Sequence, residues 1–273
     1  MRIAVAELAP RPLDVATNLE RLRAAALAAK ADLAIFPELF LSGYSIGDHL
    51  RTVAIRPGDR TLEELAGIAR SVPSTVVVGA VVASPTRVGE VENCAVVVDP
   101  SGTILRQVKR YLPTFGPFEE GRVFTPSDRS VPLAAAGVRL GVEICYDVFF
   151  PEVTRELAVA GAQILINVSA APSTSRPLFD KLLPARAVEN GLPVVYVNRV
   201  GVEDGFVFGG GSGVWDARGE PVRTEPVPWE GLGADERLVV ASVDLAASER
   251  WRPFRPVLRD VVARPPPPPG PPG

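Results

Sequence analysis

Apolar and polar residues alternate along this chain with two periodicities, one typical of strands and one typical of helices. Short continuous apolar runs favour buried strands, whereas residues 15–30 place Val15, Leu19 and Leu22 on one helical face. By these criteria we predict strands at 3–8, 33–36, 75–82, 94–98, 103–109, 138–144, 163–168, 194–200 and 238–243, and helices at 15–30, 61–70, 151–160 and 178–190. Helices that alternate with strands, together with a hairpin turn at 99–102, predict a layered α/β fold with a mixed sheet.

The two halves of the chain carry loosely the same order of elements, and no linker separates them. We therefore expect one domain over residues 1–263. A long irregular stretch at 110–130 interrupts the pattern, and loops of this length inside a compact domain are often functional. Residues 264–273 are almost entirely proline and glycine, so we expect a polyproline-like or disordered tail there.

Composition and charge narrow the class of protein. The net charge is −3, so no excess of positive charge is available to neutralise nucleic-acid phosphates. No apolar run approaches the roughly 20 residues of a membrane helix, and Glu7 comes too early for a signal peptide. Two cysteines in 273 residues are not a disulfide framework, which indicates a cytoplasmic protein. Cys94, Cys145 and the single histidine, His49, are too few for a structural zinc site.

Cys145 stands where α/β proteins commonly carry a reactive group. It directly follows the predicted strand 138–144, and the backbone N–H groups after it are available to bind an oxyanion. Cysteine alone is more often a structural thiol, and Cys94, inside an apolar strand, is interpreted in that way. His49 is interpreted as a surface residue, so the base for a nucleophilic Cys145 would be a carboxylate rather than the usual histidine.

Three charged residues are candidates to act with this cysteine. Glu38 ends a strand between phenylalanines, so we expect a desolvated carboxylate that suits a general base. Lys109 opens the irregular loop and Glu120 lies on it; a fixed ammonium there could stabilise an oxyanion. Taken alone, each has a simpler interpretation: a helix-start acid for Glu38 and solvated loop charges for the other two.

Taken together, these residues resemble the sequence blocks of the nitrilase superfamily of carbon–nitrogen hydrolases. The resemblance covers roughly residues 2–245, and several blocks in register are strong evidence where one would be weak. The matching blocks are Phe36-Pro37-Glu38, Lys109-x-x-Leu112-Pro113, Glu120-x-Arg122-x-Phe124, Cys145-Tyr146-Asp147-x-x-Phe150-Pro151-Glu152, Arg186-Ala187-x-Glu189-Asn190, Val197-Asn198-Arg199-Val200-Gly201 and Gly211-Ser212-Gly213.

The resemblance implies a four-layer α-β-β-α sandwich, which agrees with the two similar halves. It implies a catalytic set of Glu38, Lys109 and Cys145, with Glu120 positioning substrate and supporting the lysine. It also implies a homodimer or larger homo-oligomer and no metal or organic cofactor.

The expected chemistry is amide hydrolysis through a covalent intermediate. Glu38 takes the proton of Cys145, the thiolate attacks the carbonyl carbon, and Lys109 with the backbone N–H of Tyr146 holds the oxyanion. Ammonia leaves, and water activated by Glu38 opens the thioester. We also expect the positive charge of Lys109 to lower the pKa of the Cys145 thiol.

One departure from the family bears on the substrate. Phe149 stands where many members have an arginine, which argues against hydrolases that bind the carboxylate of a carbamoyl acid, although Arg176 or Arg199 could take that role. We expect Tyr146 and Phe149 to help position the substrate. Other aromatic residues, such as Phe179, could line the pocket or simply pack.

Several stretches, including 37–44 and 191–198, are similar to the glutaminase domain of glutamine-dependent NAD synthetases. This chain has no room for the synthetase domain and no Ser-Gly-Gly loop for ATP, so we predict a free-standing amidase of a small amide, with an ω-amide as one candidate. A nitrilase or N-carbamoyl hydrolase with the same triad stays open. A serine amidase built on 209–213 lacks an evident base. A catalytically silent binding subunit is the remaining alternative.

Overall fold

The computed structural model describes residues 1–45 and 47–263, and the predicted tail at 264–273 lies outside them. Four short 3₁₀ helices, at Gly47–Arg51, Cys145–Phe149, Ser173–Ser175 and Arg252–Phe254, join the longer elements. The strands are β1 (Arg2–Glu7), β2 (Leu33–Ile35), β3 (Thr75–Ala83), β4 (Val91–Val98), β5 (Ile104–Val108), β6 (Leu133–Ala135), β7 (Val138–Ile144), β8 (Ile164–Ser169), β9 (Val194–Asn198), β10 (Val200–Glu203), β11 (Phe206–Gly209), β12 (Gly213–Trp215), β13 (Thr224–Pro226) and β14 (Arg237–Ser242). The helices are α1 (Val15–Ala29), α2 (Arg60–Ser71), α3 (Glu120–Val123), α4 (Pro151–Val159), α5 (Arg176–Asn190), α6 (Leu245–Trp251) and α7 (Val257–Ala263).

The strands form two large sheets and one hairpin. The first sheet has the order β13-β14-β1-β2-β3-β4-β5, the second has the order β12-β9-β8-β7-β6, and β10 pairs only with β11. Strands β1, β2 and β3 run parallel, and so do β7, β8 and β9. Each half of the chain therefore builds the same parallel triplet, which is the origin of the repeated order of elements in the sequence.

The two sheets pack face to face, and each carries helices on its outer face. Because side chains alternate along a strand, β1 serves two layers at once. Ile3 and Val5 pack against apolar residues of β7, β8 and β9, whereas Ala4 and Ala6 pack against α1 and α2. Helices α4 and α5 cover the outer face of the second sheet. The predicted α-β-β-α sandwich is confirmed.

Several predicted elements need correction. The strand predicted at 194–200 is two strands, because the chain leaves the second sheet at Arg199 and then pairs with β11. The irregular stretch at 110–130 contains the single turn α3. Strands β6 and β13 and helices α6 and α7 were not predicted, since their short runs carry too few buried residues for a clear period. None of the helices in the described ranges is long and apolar enough to cross a membrane.

Candidate active site

Glu38, Lys109 and Cys145 converge at the boundary between the two sheets. Glu38 comes three residues after β2, Lys109 directly after β5, and Cys145 directly after β7. Strands β2 and β5 belong to the first sheet and β7 belongs to the second. The carboxyl ends of strands from both halves thus supply one cluster, as is common for sites on α/β sheets.

Lys109 is fully buried between two carboxylates. Its Nζ lies 2.7 Å from Glu38 Oε1 and 2.8 Å from Glu120 Oε1. Burial by itself would lower the pKa of Lys109, but Glu120 and Glu38 outweigh it and hold that pKa above its usual value. The ammonium is therefore charged, and the simpler interpretation of Lys109 and Glu120 as solvated loop charges is wrong because both are buried.

Donors on both sides fix the carboxylate of Glu38. Its Oε1 accepts a hydrogen bond from Asn93 Nδ2 at 2.8 Å, and its Oε2 accepts the backbone N–H of Ala170 at 2.7 Å. The neighbouring Glu120 accepts the Tyr44 hydroxyl at 2.7 Å. Burial raises the pKa of Glu120, with Lys109 opposing that shift and Glu38 adding to it. These contacts hold both carboxylates in one orientation around the lysine.

The turn that carries Cys145 is held in a strained conformation. Cys145 has a φ of +47°, in the left-handed region that residues with a side chain rarely adopt. Asp147 accepts the backbone N–H groups of Tyr111 at 2.8 Å and Ile144 at 3.1 Å, which ties this turn to the loop after Lys109. Asn167 Nδ2 donates to the carbonyl of Cys145 at 3.2 Å. Hydrogen bonds made by Asp147 and Asn167 therefore hold Cys145 in this strained conformation.

The thiol of Cys145 is neutral at rest. Desolvation and the charge of Glu38 raise its pKa well above the usual value, while Lys109 opposes the shift without cancelling it. The expected lowering by Lys109 is present as one contribution, but burial and the charge of Glu38 outweigh it. A neutral thiol needs a base to become a nucleophile, and Glu38 is the charged neighbour that acts most strongly on it.

A pocket of about 260 Å³ lies over Cys145. Tyr146 and Phe149 line it, and their expected role in positioning substrate stays a prediction. Phe115 and Leu178 are each about half exposed at the pocket, at 52% and 49%. The full lining consists of Tyr44, Pro113, Phe115, Phe118, Cys145, Tyr146, Phe149, Ala170, Ala171, Pro172, Ser175, Leu178 and Phe179.

Other candidates from the sequence lie elsewhere. Cys94 is buried in the apolar layer between the first sheet and its helices, and His49 is exposed, both as predicted. Ser212 accepts the backbone N–H of Asn198 at 2.9 Å, so it joins two segments of the fold rather than facing the pocket. In residues 1–45 and 47–263 no group of His, Cys, Asp and Glu side chains is placed to hold a metal ion.

The two arginines considered for a substrate carboxylate do not line the pocket. Arg199 is buried in an ion pair with Glu203, and Arg176 lies 3.6 Å from Asp180 at the surface.

Sequence reasoning assigned no role to Asn93, Asp147 or Asn167 and considered Tyr44 only as an aromatic that could shape the pocket, yet these four residues hold the cluster together. Asn93 carried a usable signal, because an amide in the otherwise apolar run of β4 must find a buried partner. Asp147 stood within a matching family block but without an assigned role. The roles of Tyr44 and Asn167 depend on contacts distant in sequence and left no such signal.

An α-β-β-α sandwich with a cysteine, a fixed carboxylate and a buried ammonium at the ends of its strands defines a hydrolase with an active-site cysteine. The model of the carbon-nitrogen hydrolase family matches residues 2–253, and the chain belongs to that family.

Amidases are among the proteins that are similar to this chain in sequence and in structure. An (R)-stereoselective amidase from Pseudomonas sp. is 38% identical over 248 residues, which cover 90% of this chain and 85% of the relative. The structure of an amidase from Nesterenkonia sp. AN1 superposes with a TM-score of 0.78 at 34% identity, covering 95% of this chain and 98% of that one. A mutant of that amidase carries the product of Michael addition of acrylamide at its active-site cysteine.

The similarity to NAD synthetases is also found. The glutamine-dependent NAD(+) synthetase of Thermotoga maritima is 33% identical over 258 residues, which cover 89% of this chain but only 44% of the synthetase. The chain is thus an enzyme of the carbon–nitrogen hydrolase type with amidases among its relatives.

Proposed function

We propose that this protein is an amidase that releases ammonia from a small amide through a thioester on Cys145. The observation that carries the proposal is the position of the Lys109 ammonium, buried between Glu38 and Glu120 beside a thiol whose pKa is raised. An ammonium held in a site closed to water can stabilise the negative charge that develops on an amide oxygen during attack. The amidases among the relatives support the same reaction class.

Each residue of the cluster has a defined task in the proposed reaction. Glu38 takes the thiol proton as the Cys145 sulfur attacks the amide carbon, and it returns that proton to the departing ammonia. Lys109 and the backbone N–H of Tyr146 donate to the oxyanion; Tyr146 lies in the first turn of a 3₁₀ helix, where N–H groups have no partner within the helix. Water activated by Glu38 then hydrolyses the thioester.

Glu120 acts through the lysine in this scheme. Its contact with Lys109 at 2.8 Å and its hydrogen bond from Tyr44 keep the ammonium directed at the developing oxyanion while Glu38 exchanges protons. Tyr146 and Phe149, which line the pocket, position the acyl group.

The decisive experiment measures ammonia release from butyramide and from glutamine by the wild type, Cys145→Ala and Cys94→Ala. We expect Cys145→Ala to lose at least about 1,000-fold in kcat, since a missing nucleophile cannot be replaced by its neighbours. Cys94→Ala is the matched control, because Cys94 is buried in the core, and it should retain activity.

A second measurement tests the covalent intermediate. Mass spectrometry of wild-type enzyme quenched with acid during turnover should show the mass of the protein increased by that of one acyl group. Equal activity in wild type and Cys145→Ala would overturn the proposal, and release from glutamine tests the ω-amide prediction.

A further inference from the structure

The walls of the pocket over Cys145 are mainly apolar and aromatic. Tyr146 packs against Phe149 at a ring-centroid distance of 5.3 Å, Phe149 against Phe179 at 5.5 Å, and Phe115 against Tyr146 at 5.3 Å. Among the described residues, none that lines the pocket carries a charge at neutral pH. The polar groups present are the tyrosine hydroxyls, Ser175 and Cys145 itself.

From these walls we infer that the amide substrate has an uncharged, apolar acyl group, so that amino-acid ω-amides such as glutamine are rejected. The inference rests on the proposed amidase function, which supplies the reacting bond, and it adds the class of substrate. A carboxylate or ammonium placed in this pocket would lose its hydration and gain no ion-pair partner, which is strongly unfavourable.

The charged groups behind the pocket cannot serve as partners for such a substrate. The Lys109 ammonium is already paired with Glu38 and Glu120 at 2.7 and 2.8 Å, and each of the three groups is needed for the chemistry. Arg199 is paired with Glu203, and the pocket is lined at position 149 by the uncharged ring of Phe149. Any charge on the acyl group would therefore meet rings instead of counter-ions.

Size restricts the acyl group further. The volume of about 260 Å³ lies below the roughly 300–1,000 Å³ of ordinary ligand pockets, so it suits a short branched chain or a single ring. Phe115 and Leu178 expose about half of their surface, and a bound apolar group would remove part of that surface from water. Affinity should therefore grow with the apolar surface of the acyl group until the pocket is full.

The test compares two amides of the same shape and opposite polarity. Glutamine and 4-methylpentanamide have the same heavy-atom skeleton around the amide, except that two methyl groups replace the ammonium and carboxylate. We expect the wild type to hydrolyse 4-methylpentanamide with a kcat/KM at least about 100-fold above that for glutamine. From acetamide to butyramide, kcat/KM should rise about fourfold per methylene, which corresponds to about 0.8 kcal/mol for each buried CH₂.

A charge introduced into the wall of the pocket over Cys145 should reduce the preference for an apolar acyl group. Leu178→Arg places a cation in the lining at a half-exposed position, where we expect folding to be retained, and Leu27→Arg is the matched control on α1, at 44% exposure. The monoamide of glutaric acid serves as an anionic probe. For each protein, kcat/KM for 4-methylpentanamide is divided by kcat/KM for this probe, and we expect this ratio to be at least about tenfold lower in Leu178→Arg than in the wild type. Leu27→Arg should leave the ratio unchanged.

The outcomes separate the two proposals. Cys145-dependent hydrolysis that favours glutamine would overturn the apolar acyl group and leave the amidase proposal standing. An unchanged ratio in Leu178→Arg would also overturn the inference, because these walls would then not select the acyl group. Absence of Cys145-dependent ammonia release from every amide would overturn both.

Discussion

The ammonium of Lys109 compensates two carboxylates that would otherwise repel each other in a buried site. Glu38 and Glu120 both lie within 2.8 Å of its Nζ, and the lysine is fully buried. Arginine fills most cationic positions of this protein, with only three lysines among 29 basic residues. A compact ammonium fits between two carboxylates, whereas a planar guanidinium presents its donors in a fixed fork.

Removal of this charge should impair both activity and stability. In Lys109→Met, two buried carboxylates lose their cation, and we expect a loss of about 100- to 1,000-fold in kcat and of about 3–5 kcal/mol in the free energy of unfolding. Ammonia release and urea unfolding measure the two effects. Lys181→Met, on the exposed face of α5, is the control and should change neither. Wild-type kcat in Lys109→Met would contradict the role of the lysine in oxyanion binding.

Another buried acid, Glu143, makes stability depend on pH. Burial raises the pKa of Glu143 to about 7, and the nearby charge of Asp147 adds to that shift. Its Oε1 has no hydrogen-bond partner among the described residues. The native state therefore favours the protonated form of Glu143. The pKa of this group is near 4.5 in the unfolded chain and about 7 in the folded chain. Its contribution to stability is complete below pH 4.5 and is lost as the pH rises through about 7.

Substitution of Glu143 should remove this dependence. Between pH 5 and pH 8 the wild type should lose about 2–3 kcal/mol of unfolding free energy relative to Glu143→Gln, because glutamine stays neutral throughout. Urea titrations of both proteins at the two pH values give the difference. A parallel response of the two proteins to pH would show that Glu143 is ionised in the native state at both values.

At the scale of elements, β3 determines where Glu38 can lie. The chain after β2 crosses directly over Gly79 of β3, whose N–H donates to the carbonyl of Pro37 at 3.0 Å. A methyl group at Gly79 would lie 2.2 Å from the backbone nitrogen of Leu39 and 2.5 Å from the Cα of Glu38. These are backbone atoms, which cannot rotate away, so only glycine permits this approach.

Gly79→Ala should therefore displace the proposed base. We expect a loss of at least about 100-fold in kcat/KM, since a misplacement near 1 Å is enough for that effect, and destabilisation of about 1–3 kcal/mol from overpacking. Gly67→Ala, in α2 with open space around it, is the matched control and should stabilise the protein by about 1 kcal/mol with unchanged kinetics. Equal kinetics for the two variants would show that Glu38 does not depend on this contact.

At the scale of the whole molecule, the site exists only because two similar halves pack through their sheets. The first half contributes Glu38 and Lys109, and the second contributes Cys145 together with the backbone N–H of Ala170 that binds Glu38. The shared apolar layer between the sheets fixes the distance between these halves. Neither half alone holds the complete cluster.

The family resemblance predicts association of whole molecules, and apolar surface on the last elements is consistent with it. Phe254 and Val262 are 78% and 62% exposed near the end of the described chain, and exposed apolar patches often mark contact surfaces. We expect light scattering at micromolar concentration to give at least twice the 29.0 kDa of one chain. A mass of 29.0 kDa that does not change with concentration would contradict this prediction.

The sequence by itself determined the layers and the identity of the central residues. The periods of strands and helices predicted the bounds of β1, α1, α2 and β7 to within two residues. These elements bury one or both faces, and burial determines which positions along them are apolar. Glu38, Lys109 and Cys145 were identifiable because each ends a strand within a recognisable block. Short strands such as β6 and β13 were not predicted, since three residues are too few to show a period.

Only the tertiary structure decided how these residues are held and charged. The donors to Glu38 are Asn93 and the N–H of Ala170, the latter 132 positions away, and the charge of the Cys145 thiol depends on a balance of burial, Glu38 and Lys109. The sequence suggested that the Lys109 cation lowers the thiol pKa; in the folded chain it does so, but burial and Glu38 outweigh it and the pKa is raised. Electrostatic effects in a buried site are sums over all neighbours in space, and local sequence patterns record only neighbours along the chain.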